Sequence, residues 1–174
     1  MQISRPMIRR FHIMLKNILV IVNPHSGSGS GSSPLEKLKK AAQENRSELE
    51  VITTQSEGHA VEILQKHSLK EIDAVLAIGG DGTINEIVNG LLTRNDNSKI
   101  PIGIIPSGTG NSLMQDLGCR NAEEAIKEIF SENRSSLDIF KVEMNETVHY
   151  GFNMIGCGLP AAINHYAEAS RHFK

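Results

Sequence analysis

Ala74-Val75-Leu76-Ala77-Ile78-Gly79-Gly80-Asp81-Gly82-Thr83-Ile84-Asn85-Glu86 decides how the chain is read, because an apolar run passes through glycines straight into a helical pattern. Ala74 to Ile78 is short and wholly apolar, as expected of a strand covered on both faces in a parallel sheet. Gly79, Gly80 and Gly82 lack a Cβ, so the backbone there can turn tightly and bring its N–H groups close to an anion. Asp81 is the one charge in the turn. Thr83 is expected as the helix N-cap with Glu86 completing a capping box. Ile84, Ile87, Val88 and Leu91 then follow at helical spacing.

A helix that starts on such a turn aims its positive end where a phosphate would sit, and Asp81 could hold the Mg²⁺ that travels with a nucleoside triphosphate. Strand, glycine turn and helix together raise a nucleotide hypothesis. Alone, they fit equally well a tight turn whose Asp bonds its own backbone. The decision rests on the rest of the chain.

With 174 residues and 39% hydrophobic content, the chain can bury one sizeable core, and its length predicts one domain. A net charge of -2 provides no general basic field, so nucleic acid is not expected as a partner. Cys119 and Cys157 form neither a metal-ligand spacing nor a disulfide framework, which favours a reducing compartment. No apolar segment reaches the roughly 20 residues needed to cross a bilayer. Residues 1–15 form a basic leader with Arg5, Arg9 and Arg10, expected to be disordered. It resembles a weak organelle-targeting segment or basic arm, and a true start at Met14 would equally explain it.

Ile18 to Val22 reads as the first buried strand. Asn23-Pro24-His25-Ser26-Gly27 opens the Gly/Ser loop at its carboxyl end, where open parallel sheets bind ligands. Composition alone would make that loop a plain connector. Ser33, Pro34 and Glu36 mark a helix start as N-cap, N1 and N3, with Leu35, Leu38, Ala41 and Ala42 inward. Leu49 to Thr53 is a second strand and Gly58 to Lys66 a second helix. Between them Thr54 has a hydroxyl for a ligand or for turn formation. His59 lacks a second ligand at helical spacing and is read as structural.

Ile100 to Ile105 is the fourth strand. Pro106-Ser107-Gly108-Thr109-Gly110-Asn111 is a second glycine turn, with Thr109 and the Gly108 backbone as phosphate contacts, and a helix through Leu113, Met114 and Leu117 ends at Gly118. Asn121 caps a further helix with Ala122, Ala125, Ile126 and Ile129 inward. The α/β alternation stops there. Leu137 to Met144 and Thr147 to Met154 read as an antiparallel hairpin turning at Asn145-Glu146, and 161–174 has helical potential without a stop signal.

Four elements in order are Asn23-Pro24-x-Ser26-Gly27, Thr54-x-x-x-Gly58-His59-Ala60, Gly79-Gly80-Asp81-Gly82-Thr83-x-Asn85-Glu86-x-x-Asn89-Gly90 and Gly103-Ile104-Ile105-Pro106-x-Gly108-Thr109-Gly110-Asn111. Together they resemble the diacylglycerol kinase catalytic-domain family of diacylglycerol and sphingosine-type lipid kinases, over roughly residues 16 to 160. The resemblance implies a three-layer α/β parallel-sheet nucleotide-binding domain like that of NAD kinases and phosphofructokinases at 16–134. It also implies that 135–174 begins an incomplete β-rich domain, and that ATP and Mg²⁺ are used. Carried over residue by residue, it implies ATP contacts at Asn23, Pro24, His25, Ser26, Gly27, Thr54, Gly79, Gly80, Asp81, Gly82, Thr83, Ile84, Asn85, Gly108 and Thr109. Asp81 would be the catalytic and metal-binding residue. Glu86 reads as a cap first and a ligand group second.

The implied activity is transfer of the ATP γ-phosphate to a hydroxyl of a diacylglycerol-like or sphingoid lipid, in lipid metabolism and phospholipid biosynthesis. The implied partners are that lipid and, transiently, a membrane surface approached from the cytoplasm. A homodimer is left open. Ser112 departs from the acid often found after the Gly-Thr-Gly-Asn element, which leaves the substrate unread. Family kinases continue into a second domain that closes the cleft and, in the bacterial branch, supplies a base and a metal site. The competing readings are a NAD kinase-type enzyme and an inactive nucleotide-binding fragment. A dehydrogenase is set aside because the first turn is not Gly-x-Gly-x-x-Gly and Thr53-Thr54, not an acid, ends the second strand.

Overall fold

The computed structural model describes residues 14–26, 33–107, 113–114, 118–119, 121–131, 134–144 and 147–152. Expectations for Gly27, Gly108 and Thr109, for the leader before Met14, for the Asn145-Glu146 turn and for the final helical segment lie outside the described residues.

The first unit, through Ser136, is built on the four-stranded parallel sheet that the apolar runs predict. Its strands are β1 (Asn17–Val22), β2 (Glu48–Thr53), β3 (Ala74–Gly79) and β4 (Ile102–Pro106), in the order β2-β1-β3-β4. The central β1 and β3 carry the continuous aliphatic runs, and all six residues of β3 are buried. Edge strand β2 alternates Glu with aliphatic residues and leaves Val51 exposed, as a strand with one free side can.

The helices whose full span lies among the described residues are α1 (Pro34–Asn45), α2 (His59–Lys66), α3 (Asp81–Leu92) and α4 (Ala122–Phe130), and they cover the strands. Right-handed crossovers assign the faces. The step from β1 to β2 runs one way along the sheet, and the steps to β3 and β4 run the other, so α1 lies on one face and α2 with α3 on the opposite one. Contacts agree, with α1 packed on α4 and α2 on α3. Ile18, Val20, Leu76 and Ile78 face Leu38 and Ile126 on the first side. By the period of two, Leu19, Ile21, Val75 and Ala77 face the other, where Ile84, Ile87 and Val88 are also buried.

Local signals place α1 and α4 as read. The Ser33 side chain accepts from the Glu36 N–H with Pro34 next in line, and the Asn121 side chain accepts from the Glu124 N–H. Leu113 and Met114 are helical and buried, Gly118 takes φ 76°, and the Cys119 N–H donates to the Met114 carbonyl at 3.0 Å.

The second unit, from Leu137, contains the expected antiparallel hairpin of β5 (Phe140–Met144) and β6 (Thr147–Gly151), with Met144 opposite Thr147. Among the described residues no helix is long and apolar enough to cross a membrane.

Candidate functional site

Register brings the motif loops to one edge. Thr53 pairs with Val22, Val22 with Ile78 and Ile78 with Ile105, so Thr54, Asn23, Gly80 and Ser107 all leave the sheet at its carboxyl edge. The strand order reverses around β1 and β3, and open parallel sheets form their ligand crevice at such a point.

Asn23 ties these loops together. Its backbone N–H donates to Ile78 O at 2.9 Å, and its side chain donates through Nδ2 to Thr83 Oγ1 at 3.1 Å and accepts at Oδ1 from the His25 N–H at 2.9 Å. Its carbonyl accepts from the Ser26 N–H and hydroxyl, and Ser26 Oγ lies 2.6 Å from Ser107 Oγ. The loops after β1, β3 and β4 are thus linked through side chains far apart in sequence.

The start of α3 corrects two expectations. Its N-cap is Gly80, and Asp81 rather than a residue after Thr83 begins the helix. Thr83 therefore sits in the first turn, 6% exposed, with its hydroxyl engaged by Asn23. A Cβ added at Gly79 would meet Thr83 Oγ1 at 2.5 Å, so glycine there makes room for this inward threonine. The capping box is absent as well. Glu86 Oε2 instead accepts from the Ala60 N–H at 3.1 Å, capping α2, whose own N-cap Gly58 has no side chain to offer. The N-cap Gly80 has no side chain to cap α3, and the first helical bond is Ile84 N–H to Gly80 O. A helix end that starts on a glycine presents backbone N–H groups of the kind that bind anions.

A cavity of about 590 Å³ lies against this edge. Of the expected site residues, Asn23, His25, Thr54, Gly82, Thr83 and Asn85 line it. Gly79, Gly80, Asp81, Pro24 and Ser26 belong to the adjoining turns without lining it, and the Ile84 side chain is in the core. Thr54 is 8% exposed and its hydroxyl donates to Val22 O at 3.3 Å, so it fixes the strand end while bordering the cavity. Glu86, read as a cap first and a ligand group second, also lines it, as do Gln55, Ser56 and Glu57, and Ser107 bonds Ser26; these last four carry no contact expectation from the sequence. Their signal was only position, since each follows a strand or lies within one turn of such a residue.

Two observations test the fit to a magnesium nucleotide. A Cβ at Gly82 would have no heavy atom within 4 Å, so neither packing nor a positive φ requires glycine there, and the open space lies at the N-terminal end of α3. Asp81, the first residue of α3, has its Oδ1 shut off from solvent. Among the described residues no group of three or more His, Cys, Asp or Glu forms a metal cage. The single Asp81 carboxylate is a donor of the kind Mg²⁺ takes, since that ion is commonly held by one or two carboxylates together with substrate phosphates and water.

The sequence model described as diacylglycerol kinase catalytic domain matches residues 17–142. Sphingosine kinase 1 of Arabidopsis thaliana is 32% identical over 165 residues, covering 90% of this chain and 34% of that protein. Sphingoid long-chain bases kinase 1 of the same plant is 35% identical over 162 residues, 87% of this chain and 21% of that protein. A crystal structure of a diacylglycerol kinase from Bacillus anthracis superposes with a TM-score of 0.64 at 31% identity, over 73% of this chain and 44% of that one. The chain spans less than half the length of each of these relatives. On the extent of the match and the shared sheet, the chain belongs to the diacylglycerol kinase catalytic domain family.

Proposed function

We propose that residues 16–134 form the ATP-binding domain of a lipid kinase that transfers the γ-phosphate of ATP to a hydroxyl of a diacylglycerol-like or sphingoid lipid, with 135–174 opening a second domain. The observation that carries this reading is the N-terminal end of α3, with Gly82 open above it, inside a crevice cross-linked by Asn23, Thr83, Ser26 and Ser107. When bound, ATP supplies the phosphoryl group and Mg²⁺ neutralises charge on its oxygens. The backbone of Gly82 and Thr83 offers amides to phosphate, and Asp81 supplies the carboxylate toward the metal. Gly80 forms the turn that presents them, and Asn85, one turn into α3, lines the same cavity. Gly27, Gly108 and Thr109 take their place in this reading from the family pattern alone.

The chain would meet its lipid at a membrane surface from the cytoplasm and need no spanning helix; a homodimer is compatible with it. The test is lipid-dependent release of ADP, with diacylglycerol and sphingosine in mixed micelles as acceptors. Labelled lipid should appear and fall by about 10²-fold or more in Asp81→Ala while the circular dichroism spectrum is kept. Phosphorylation of NAD without any lipid product would contradict the reading in favour of a NAD kinase. ATP binding without transfer to any acceptor would reduce the chain to a nucleotide-binding module.

A further inference from the structure

Thr54 to Gly58 supplies five of the residues that line the cavity, more than any other segment. A free loop of that length would have to be ordered by the ligand, and fixing each residue costs about 1–2 kcal/mol of backbone entropy. Here it is ordered in advance. Its first residue is anchored by Thr54 N–H to Val22 O at 2.8 Å. At its far end Gly58 takes φ 78° and the His59 N–H donates to Ser56 O at 3.3 Å. The middle is closed by a side chain: the Gln55 N–H donates to His59 Nδ1 at 3.0 Å. The first turn of α2 is held in turn by Glu86 of α3 through the Ala60 N–H.

We propose that His59, which does not itself line the cavity, is the positioning residue of the nucleotide site: as acceptor for the Gln55 amide it holds Thr54–Gly58 in its ligand-ready shape. The inference rests on the nucleotide reading above and deepens it. Losing the acceptor lets the segment sample other shapes, and apparent affinity falls by the fraction that remains competent. One hydrogen bond of ordinary strength is worth a factor of about five to ten in the ratio of ordered to disordered segment, and that factor is the ceiling on the loss of affinity. Glu86 lines the cavity and caps α2, so it cannot separate positioning from contact; His59 can.

The experiment compares the parent with His59→Ala and His59→Asn, whose amide oxygen restores an acceptor at a similar reach. Amide exchange over 54–58 is read without ligand and Mg²⁺-ATP affinity by calorimetry. His59→Ala should speed exchange at Gln55 at least fivefold while β1 and β3 stay protected, and weaken Mg²⁺-ATP by at least about twofold and at most about tenfold; His59→Asn should recover most of both. If the alanine variant does not fold, His59→Leu keeps the bulk, removes the acceptor and should show the same losses. Unchanged exchange at Gln55 overturns the inference, and so does faster exchange with unchanged affinity. A well-folded parent that binds no Mg²⁺-ATP overturns the nucleotide reading itself, and the inference with it.

Discussion

Gly79 and Gly82 stand three residues apart in one turn for different reasons. At Gly79 a methyl group would press on the Thr83 hydroxyl at 2.5 Å and its Cβ at 2.6 Å, both held by burial and by Asn23. Gly79→Ala should therefore destabilise the fold by about 1–3 kcal/mol in urea denaturation, and a Gly79→Ala/Thr83→Gly double variant should be less destabilised than the two single changes added together. Gly82→Ala meets no protein atom and removes a flexible glycine from a helix, so its melting temperature should hold or rise, by up to about 1 kcal/mol of stability. The same methyl should weaken Mg²⁺-ATP binding, because it occupies space left for the ligand. The sequence showed glycines in a turn after a strand, but not which one served packing. That distinction depends on Thr83 pointing inward, and its partner Asn23 lies sixty positions away.

At the scale of elements, α2 and α3 form one clamped pair. Glu86 caps the start of α2, Gly90 lets the helices meet where a Cβ would lie 2.9 Å from the Leu64 Cβ, and Arg94 closes the far end. Arg94, its side chain 7% exposed, donates to the carbonyls of Leu64 and His67 and forms a forked pair with Asp96. Arg94→Ala should cost about 1–3 kcal/mol by denaturant melts, since two carbonyls at the end of α2 lose a charged donor. The hydrogen bond from Arg94, helped by the Ser98 N–H, holds the Asp96 carboxyl well below its ordinary 3.8. A lowered carboxyl stabilises fully above 3.8 and loses that contribution as the pH falls through the lowered value. The stability gap between parent and Arg94→Ala should hold above pH 4 and narrow in stronger acid, as followed by melts across pH. Caps at α1 and α4 were legible because donor and acceptor lie within one turn. The start of α3 was misread because its threonine and glutamate spend their hydrogen bonds on other elements, which local spacing does not encode.

At the scale of the whole chain, four apolar runs with helices between them were enough to specify a parallel α/β sheet, since such strands must be buried on both faces. Strand order was not legible, though β2 carries a trace of its edge position in Glu48 and Glu50. Order determines the site: with β1 and β3 at the centre, the turns at Asn23 and Gly80 face each other across the crevice and share Thr83. The family motifs are spread over residues 23–111, yet Asn23, Thr54, Gly80 and Ser107 from all four of them leave the sheet at one edge. The central claim is that this edge is a magnesium nucleotide site. Calorimetric titration of Mg²⁺-ATP into the chain and into its folded Asp81→Ala variant tests it most directly. The parent should bind, and the variant should bind roughly tenfold or more weakly, the scale expected for loss of a charged contact. Equal affinity in the two proteins, or no binding by a well-folded parent, would contradict it.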